Sequence, residues 1–156
     1  MRIVRLFLYG TLMGESGTLI GRWTGERIVS AVPATVPGRL FALADPDGWY
    51  PALVSGCGGR VHGVLAELRL AAGDLTRLDR YEGREYRRRT VPVCTQRGKY
   101  AAAQAWCWRL PLPSGARPIA DGDFPGWLVR TGNRPFGHRQ SHGAIASALA
   151  NRCVVH

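Results

Sequence analysis

Residues 78–88 read Leu-Asp-Arg-Tyr-Glu-Gly-Arg-Glu-Tyr-Arg-Arg, and Glu82 is the acid in this stretch whose setting suits proton transfer. Leu70, Asp74, Leu75, Leu78 and Tyr81 predict a short helix, its apolar side chains three and four residues apart on one face. Gly83 stands where a helix ordinarily stops, because a left-handed residue there costs glycine nothing. Glu82 is then the last helical side chain, at the negative end of the helix dipole. That position, and any loss of solvent, raises a carboxylate's pKa and makes it a useful base near neutral pH. The plainer alternative is an exposed acid in a charged turn. Glu85 is the competing acid and ranks lower. It lies beyond the glycine among arginines, where an ion pair would hold its pKa low.

A second element must supply a place for substrate. Residues 2–9 form a compact apolar run, a buried strand, ending in Tyr9-Gly10-Thr11-Leu12 and the turn residues Gly14, Glu15, Ser16 and Gly17. Glycine directly after a strand lets backbone come close to a ligand, and successive N–H groups there make a nest for a small carboxylate. Alone, strand–glycine–turn means only a turn. Together with Glu82 it offers an anion anchor and a proton carrier.

The remaining chain is rich in strand signals. Residues 27–35 read as a strand, with Pro33 indicating an edge. Residues 38–43 read as another, followed by turn chemistry at Asp45-Pro46-Asp47-Gly48 and an extended stretch at 50–54. Gly56-Cys57-Gly58-Gly59 precedes a strand at 60–68 rather than a helix, so it reads as a hairpin connection and not a phosphate loop. His62 falls on the wetter face of that strand and is assigned no chemistry. Strands follow at 86–95 and 100–110 around a turn at Arg97-Gly98-Lys99. Trp106 and Trp108 share a face of the second, directed at a core or a pocket, with core favoured. Residues 119–130 contain a last short helix. From Thr131 a C-terminal tail begins, with a small helix at 141–151 capped by Ser141. His138 and His142 are four apart but lack a third ligand, so they read as solvent-exposed.

The 156 residues suit one domain (1–130) with the tail 131–156, large enough for a real core. Twenty glycines and 10 prolines imply many turns and a β-rich design. The net charge of +10 invites nucleic acid as a partner. Yet all basic residues but Lys99 are arginines, spread from Arg2 to Arg152. That bias suits genome composition as much as phosphate binding, and nucleic acid stays a minor alternative. Cys57, Cys94, Cys107 and Cys153 show no metal-like spacing. Reduced thiols in a cytoplasmic protein are the simplest reading, and a Cys94–Cys107 bridge the alternative. No secretory signal or membrane span is evident.

Taken in order, Phe7-Leu8-Tyr9-Gly10-Thr11-Leu12, Tyr50-Pro51-Ala52-Leu53, Val61-His62-Gly63-Val64-Leu65, Leu78-Asp79-Arg80-Tyr81-Glu82-Gly83, Tyr86-Arg87-Arg88 and the Gly122-Asp123-Phe124 close of 119–124 carry a resemblance. Over about residues 2–130 the chain resembles the gamma-glutamylcyclotransferase-like family, the AIG2-like group included. The resemblance implies an α+β fold, a small mixed β-barrel with a few peripheral helices and a pocket at its mouth. It implies closure of a γ-glutamyl group to 5-oxoproline with release of an amine, with no metal and no organic cofactor. Glu82 matches the family's catalytic glutamate. Gly10, Thr11 and Leu12 match its binding loop, Tyr9 helps by packing or hydrogen bonding, and Tyr86 lines the pocket. The implied partner is a small γ-glutamyl substrate, the expected assembly a monomer or weak dimer. The chain departs from the pattern where relatives carry a helical stretch, between Leu12 and Trp23. It also departs at Trp106 and Trp108, where relatives often show tyrosine. A non-catalytic member of the fold that binds an acidic or γ-glutamyl-like ligand is the second reading.

Overall fold

A computed structural model describes residues 1–10 and 19–136. The elements in order are β1 (Arg2–Leu8), α1 (Leu19–Gly25), β2 (Ile28–Asp45), β3 (Gly48–Leu70), α2 (Asp74–Glu82), β4 (Tyr86–Thr95), β5 (Tyr100–Trp108), β6 (Arg117–Ile119) and α3 (Phe124–Thr131). Hydrogen bonding runs β3-β1-β5-β4-β2, and β2 pairs again with β3, so five strands close into a barrel that β6 extends from β2. The β1–β5 contact is parallel, Leu6 against Gln104, while the other pairings are antiparallel. This is the α+β mixed barrel with peripheral helices that the resemblance implies.

Strand β1 is covered on both faces over Leu6–Leu8, while Arg5 interrupts the apolar run and stays exposed. Successive strand residues point to opposite sides. Phe7 and Tyr9 enter the barrel interior with Val36, Val61 and Val93. Leu6 and Leu8 lie on the outer face, under Ile20 of α1 and Leu75, Leu78 and Tyr81 of α2. Strand β5 divides its residues in the same way: the small Ala103 and Ala105 face the filled interior, and Trp106 faces α2. Phe124 and Trp127 of α3 pack into the interior cluster. Asp123 caps that helix by accepting from Gly126 N–H at 3.1 Å.

Several sequence expectations are corrected. The strands expected at 27–35 and 38–43 are one strand, β2, and Pro33 is not at an edge, since closure leaves the five barrel strands none. A strand residue's N and C=O point the same way, and the Pro33 carbonyl accepts from Gln96 N–H at 3.0 Å. The missing donor therefore costs the β3 ladder nothing. Gly56–Gly59 is not a hairpin connection. Ser55 pairs with Gly38 and Arg60 with Pro37, so both flanks run antiparallel to β2 and the glycine run is an unpaired excursion within β3. The helix α1, seven residues long, lies where no element was expected. Helix α2 starts at Asp74, and Leu70 is the last residue of β3. Cys94 faces Tyr100 and Cys107 faces Arg87 across β4–β5, a register that keeps the two cysteines apart, and both are free thiols. The expected helix at 141–151, His138, His142 and Cys153 lie outside the described residues. Among the described residues no helix is long and apolar enough to cross a membrane.

Gly122 fixes the turn into α3. Its φ is +66°, and a Cβ there would lie 1.9 Å from the Arg60 carbonyl oxygen. Its own carbonyl accepts from His62 N–H at 2.8 Å. Gly98, in the β4–β5 turn, also has positive φ but faces open space. Gly122→Ala should therefore cost more than the roughly 1–3 kcal/mol of backbone strain alone, and Gly98→Ala about that strain and no more. Urea midpoints of the two variants against wild type measure the difference.

Candidate active site

Helix α2 and the end of β1 bring the two expected parts of the site together. A pocket of about 180 Å³ is lined by Tyr9, Gly10, Glu82, Gly83, Glu85 and Tyr86, among others. That is small beside the roughly 300–1,000 Å³ of pockets for drug-sized ligands, and suits a small metabolite. Thr11 and Leu12, the rest of the expected binding loop, lie outside the described residues. Among the described residues no group of three or more His, Cys, Asp or Glu could hold a metal ion.

Glu82 is the last residue of α2, as its position before Gly83 predicts. Gly83 caps the helix through its N–H to the Asp79 carbonyl at 3.1 Å. Its φ of 91° and ψ of 171° are not the expected left-handed helical pair but an extended conformation that is essentially open to glycine alone. A Cβ at Gly83 would also meet the Glu85 carboxylate at 2.7 Å. Glu85 therefore stands over the helix end and lines the same pocket. Among the described residues none of the ion pairs involves it, contrary to the arginine pairing expected from its neighbours in sequence.

Tyr9 lies beneath the pocket with its hydroxyl committed. It donates to the Trp106 carbonyl and accepts from Leu53 N–H at 3.3 Å. Burial raises its pKa well above the ordinary tyrosine value, and the Glu82 carboxylate raises it further. Tyr9 therefore stays neutral, and the Glu82 charge is felt at the pocket floor. Gly10 is a glycine for a packing reason, since a Cβ there would lie 2.6 Å from Pro51 Cγ. Tyr86 donates to the Pro51 carbonyl at 2.6 Å and meets the Trp108 ring edge-on at 5.3 Å. Trp106 and Trp108, for which core was favoured, both line the pocket, although Trp106 also packs beneath α2.

What sequence reasoning missed is the anchor of α2. The Asp79 carboxylate accepts from Arg88 Nε at 2.9 Å, Arg88 Nη2 at 3.2 Å and Trp106 Nε1 at 2.8 Å. Arg88 reaches on to Gln104. One carboxylate thus ties the last turn of α2 to β4 and β5, one helical turn before Glu82. No local signal marks this residue, because its partners are nine and 27 positions away.

A protein-family model described as gamma-glutamyl cyclotransferase, AIG2-like, matches residues 6–127. The chain belongs to this family. No curated protein sequence matches it significantly. Among solved structures the chain is similar to an Arabidopsis thaliana protein solved in solution (24% identity, 85% of each chain covered, TM-score 0.61). It is also similar to an AIG2-like protein from Mus musculus (16% identity, 79% of this chain and 90% of that one, TM-score 0.59). A third similar structure is titled gamma-glutamyl cyclotransferase (21% identity, 75% of this chain and 72% of that one, TM-score 0.53). At these identities the structural likeness speaks for the shared cyclotransferase fold.

Two predictions follow from the anchor and the floor. Asp79→Ala orphans the Trp106 indole N–H and should cost about 1–3 kcal/mol of stability, read from urea midpoints. Asp79→Asn keeps an acceptor for Trp106 and should cost less. Tyr9 titrates higher in the folded protein than in the unfolded chain. Its share of stability is thus intact below a pH of about 10 and is lost as pH rises from there towards the folded value. Urea midpoints across that range should fall for wild type and fall less steeply for Tyr9→Phe.

Proposed function

We propose that the protein is a cyclotransferase acting on a small γ-glutamyl amine or peptide, releasing 5-oxoproline and a free amine, with Glu82 as the proton carrier. The observation that carries this reading is the convergence of the Gly10 turn and the Glu82 carboxylate on one small pocket in a chain of this family.

The substrate holds both reacting groups, so a pocket that folds the γ-glutamyl chain back on itself supplies much of the acceleration. The α-carboxylate is held at the backbone donors of the Gly10–Leu12 loop, and the pocket walls of Tyr9, Tyr86 and Pro51 hold the carbon chain. The α-ammonium sheds two protons in becoming the lactam N–H. Glu82 takes one as the amine attacks the γ-carbonyl carbon. The C–N bond to the leaving amine then breaks, and Glu82 returns that proton to the departing nitrogen. The second proton passes to solvent. Neutral Tyr9, its hydroxyl already donating to a backbone carbonyl, takes no part in the transfer and holds the floor. Glu82 is preferred to Glu85 because it ends α2 and matches the family's glutamate, whereas Glu85 stands over Gly83 beyond the helix.

Glu82→Gln keeps the shape and removes the proton carrier, so kcat should fall by about two to four orders of magnitude, with substrate affinity changed much less. Glu85→Gln, assayed alongside, should stay within several-fold of wild type. The measurement is 5-oxoproline release from a panel of γ-glutamyl compounds. Near-full activity in Glu82→Gln would move the proton carrier elsewhere. Binding without turnover across the whole panel would favour a non-catalytic member of the fold.

A further inference from the structure

Residues 134–136 lie beyond the segment matched by the family model, yet they are built into the β2–β3 hairpin. Trp49 N–H donates to the Arg134 carbonyl at 2.9 Å, and Phe136 N–H donates to the Trp49 carbonyl at 2.7 Å. Trp49 and Pro135 form a parallel bridge. The hairpin is shaped to admit this strap. Gly48 has a φ of +133°, and a Cβ there would lie 2.6 Å from the Pro135 carbonyl oxygen. The strap ends on Phe136, which is buried, lines the pocket and meets the Tyr50 ring edge-on at 6.0 Å.

Tyr50 and Phe136 line the same pocket as Gly10, Pro51 and Glu82. In the proposed reaction the γ-glutamyl part is common to every substrate and only the departing amine varies. A pocket wall supplied from outside the family-matched segment is the wall suited to meet the part that varies. We propose that the 134–136 strap completes a leaving-amine subsite, in which Phe136 with Tyr50 favours amines bearing a flat apolar group next to the nitrogen. The proposal rests on the cyclotransferase reading of the same pocket. Phe136 acts here as a specificity-determining residue and touches no proton in transfer.

The test compares two substrates with the same acyl part, γ-glutamyl benzylamide and γ-glutamyl methylamide, in wild type, Phe136→Ala and Phe136→Leu. The ratio of their kcat/KM values should favour benzylamide in wild type and fall by about tenfold in Phe136→Ala, the scale of one aromatic contact. Phe136→Leu should lie between, and it serves alone if the alanine variant does not fold. An unchanged ratio, or equal losses on both substrates, would overturn the subsite. Calorimetric binding of both amides to the same proteins separates this proposal from the reading beneath it. If wild type turns over neither amide, a benzylamide preference in binding that Phe136→Ala removes supports the subsite even as the cyclotransferase reading fails. If wild type binds the two alike or binds neither, the subsite fails.

Discussion

The tyrosine hydroxyl beneath the pocket holds three strands in place at once. Tyr9 follows β1, donates to the carbonyl of Trp106 on β5 and accepts from the N–H of Leu53 on β3. A buried hydroxyl left unpaired would cost about 1–3 kcal/mol, so this pairing strongly favours one arrangement of the barrel mouth. The Gly10 turn leaves from the same residue, and α2 lies on the outer face of the strands that Tyr9 joins. The floor of the pocket and the edges that carry Gly10 and Glu82 thus share one hydrogen-bonded centre.

Around that centre, close backbone approach does what side chains elsewhere would prevent. A Cβ at Gly63 would lie 2.3 Å from the Leu8 carbonyl oxygen where β3 pairs with β1, and one at Gly10 would strike Pro51. Neither glycine is there for a positive φ. Each is there because another part of the chain passes too near for a methyl group. Gly10 and Gly63 therefore record contacts between distant segments, and the pocket depends on those contacts.

The acid pair at the end of α2 shows how tertiary placement sorts similar residues. Glu82 and Glu85 are three positions apart and both line the pocket. The helix geometry, pinned by Asp79 on Trp106 and Arg88, brings the charge of Glu82 to bear on the buried Tyr9. Gly83 then turns the chain so that Glu85 stands over the helix end. Position along the sequence ranks the two acids only weakly, and the turn between them separates their surroundings.

The sequence by itself determined several local elements and the identity of the family. The apolar stripe of Leu75, Leu78 and Tyr81 marked α2, the apolar run at 3–8 marked a buried strand although Arg5 interrupts it, and the ordered motifs marked the family. These signals are local, carried by periodicity and by residue types with fixed backbone preferences. Only the tertiary structure decided that Gly56–Gly59 lies within one long strand and that Pro33 sits in a closed barrel. A hairpin and a bulge have the same glycine-rich composition and differ only in which residues they pair with. The Asp79 anchor, the reach of Pro51 to Gly10 and the arrival of Phe136 in the pocket were likewise invisible in the sequence. Each joins residues far apart along the chain, and such contacts exist only after the barrel has closed.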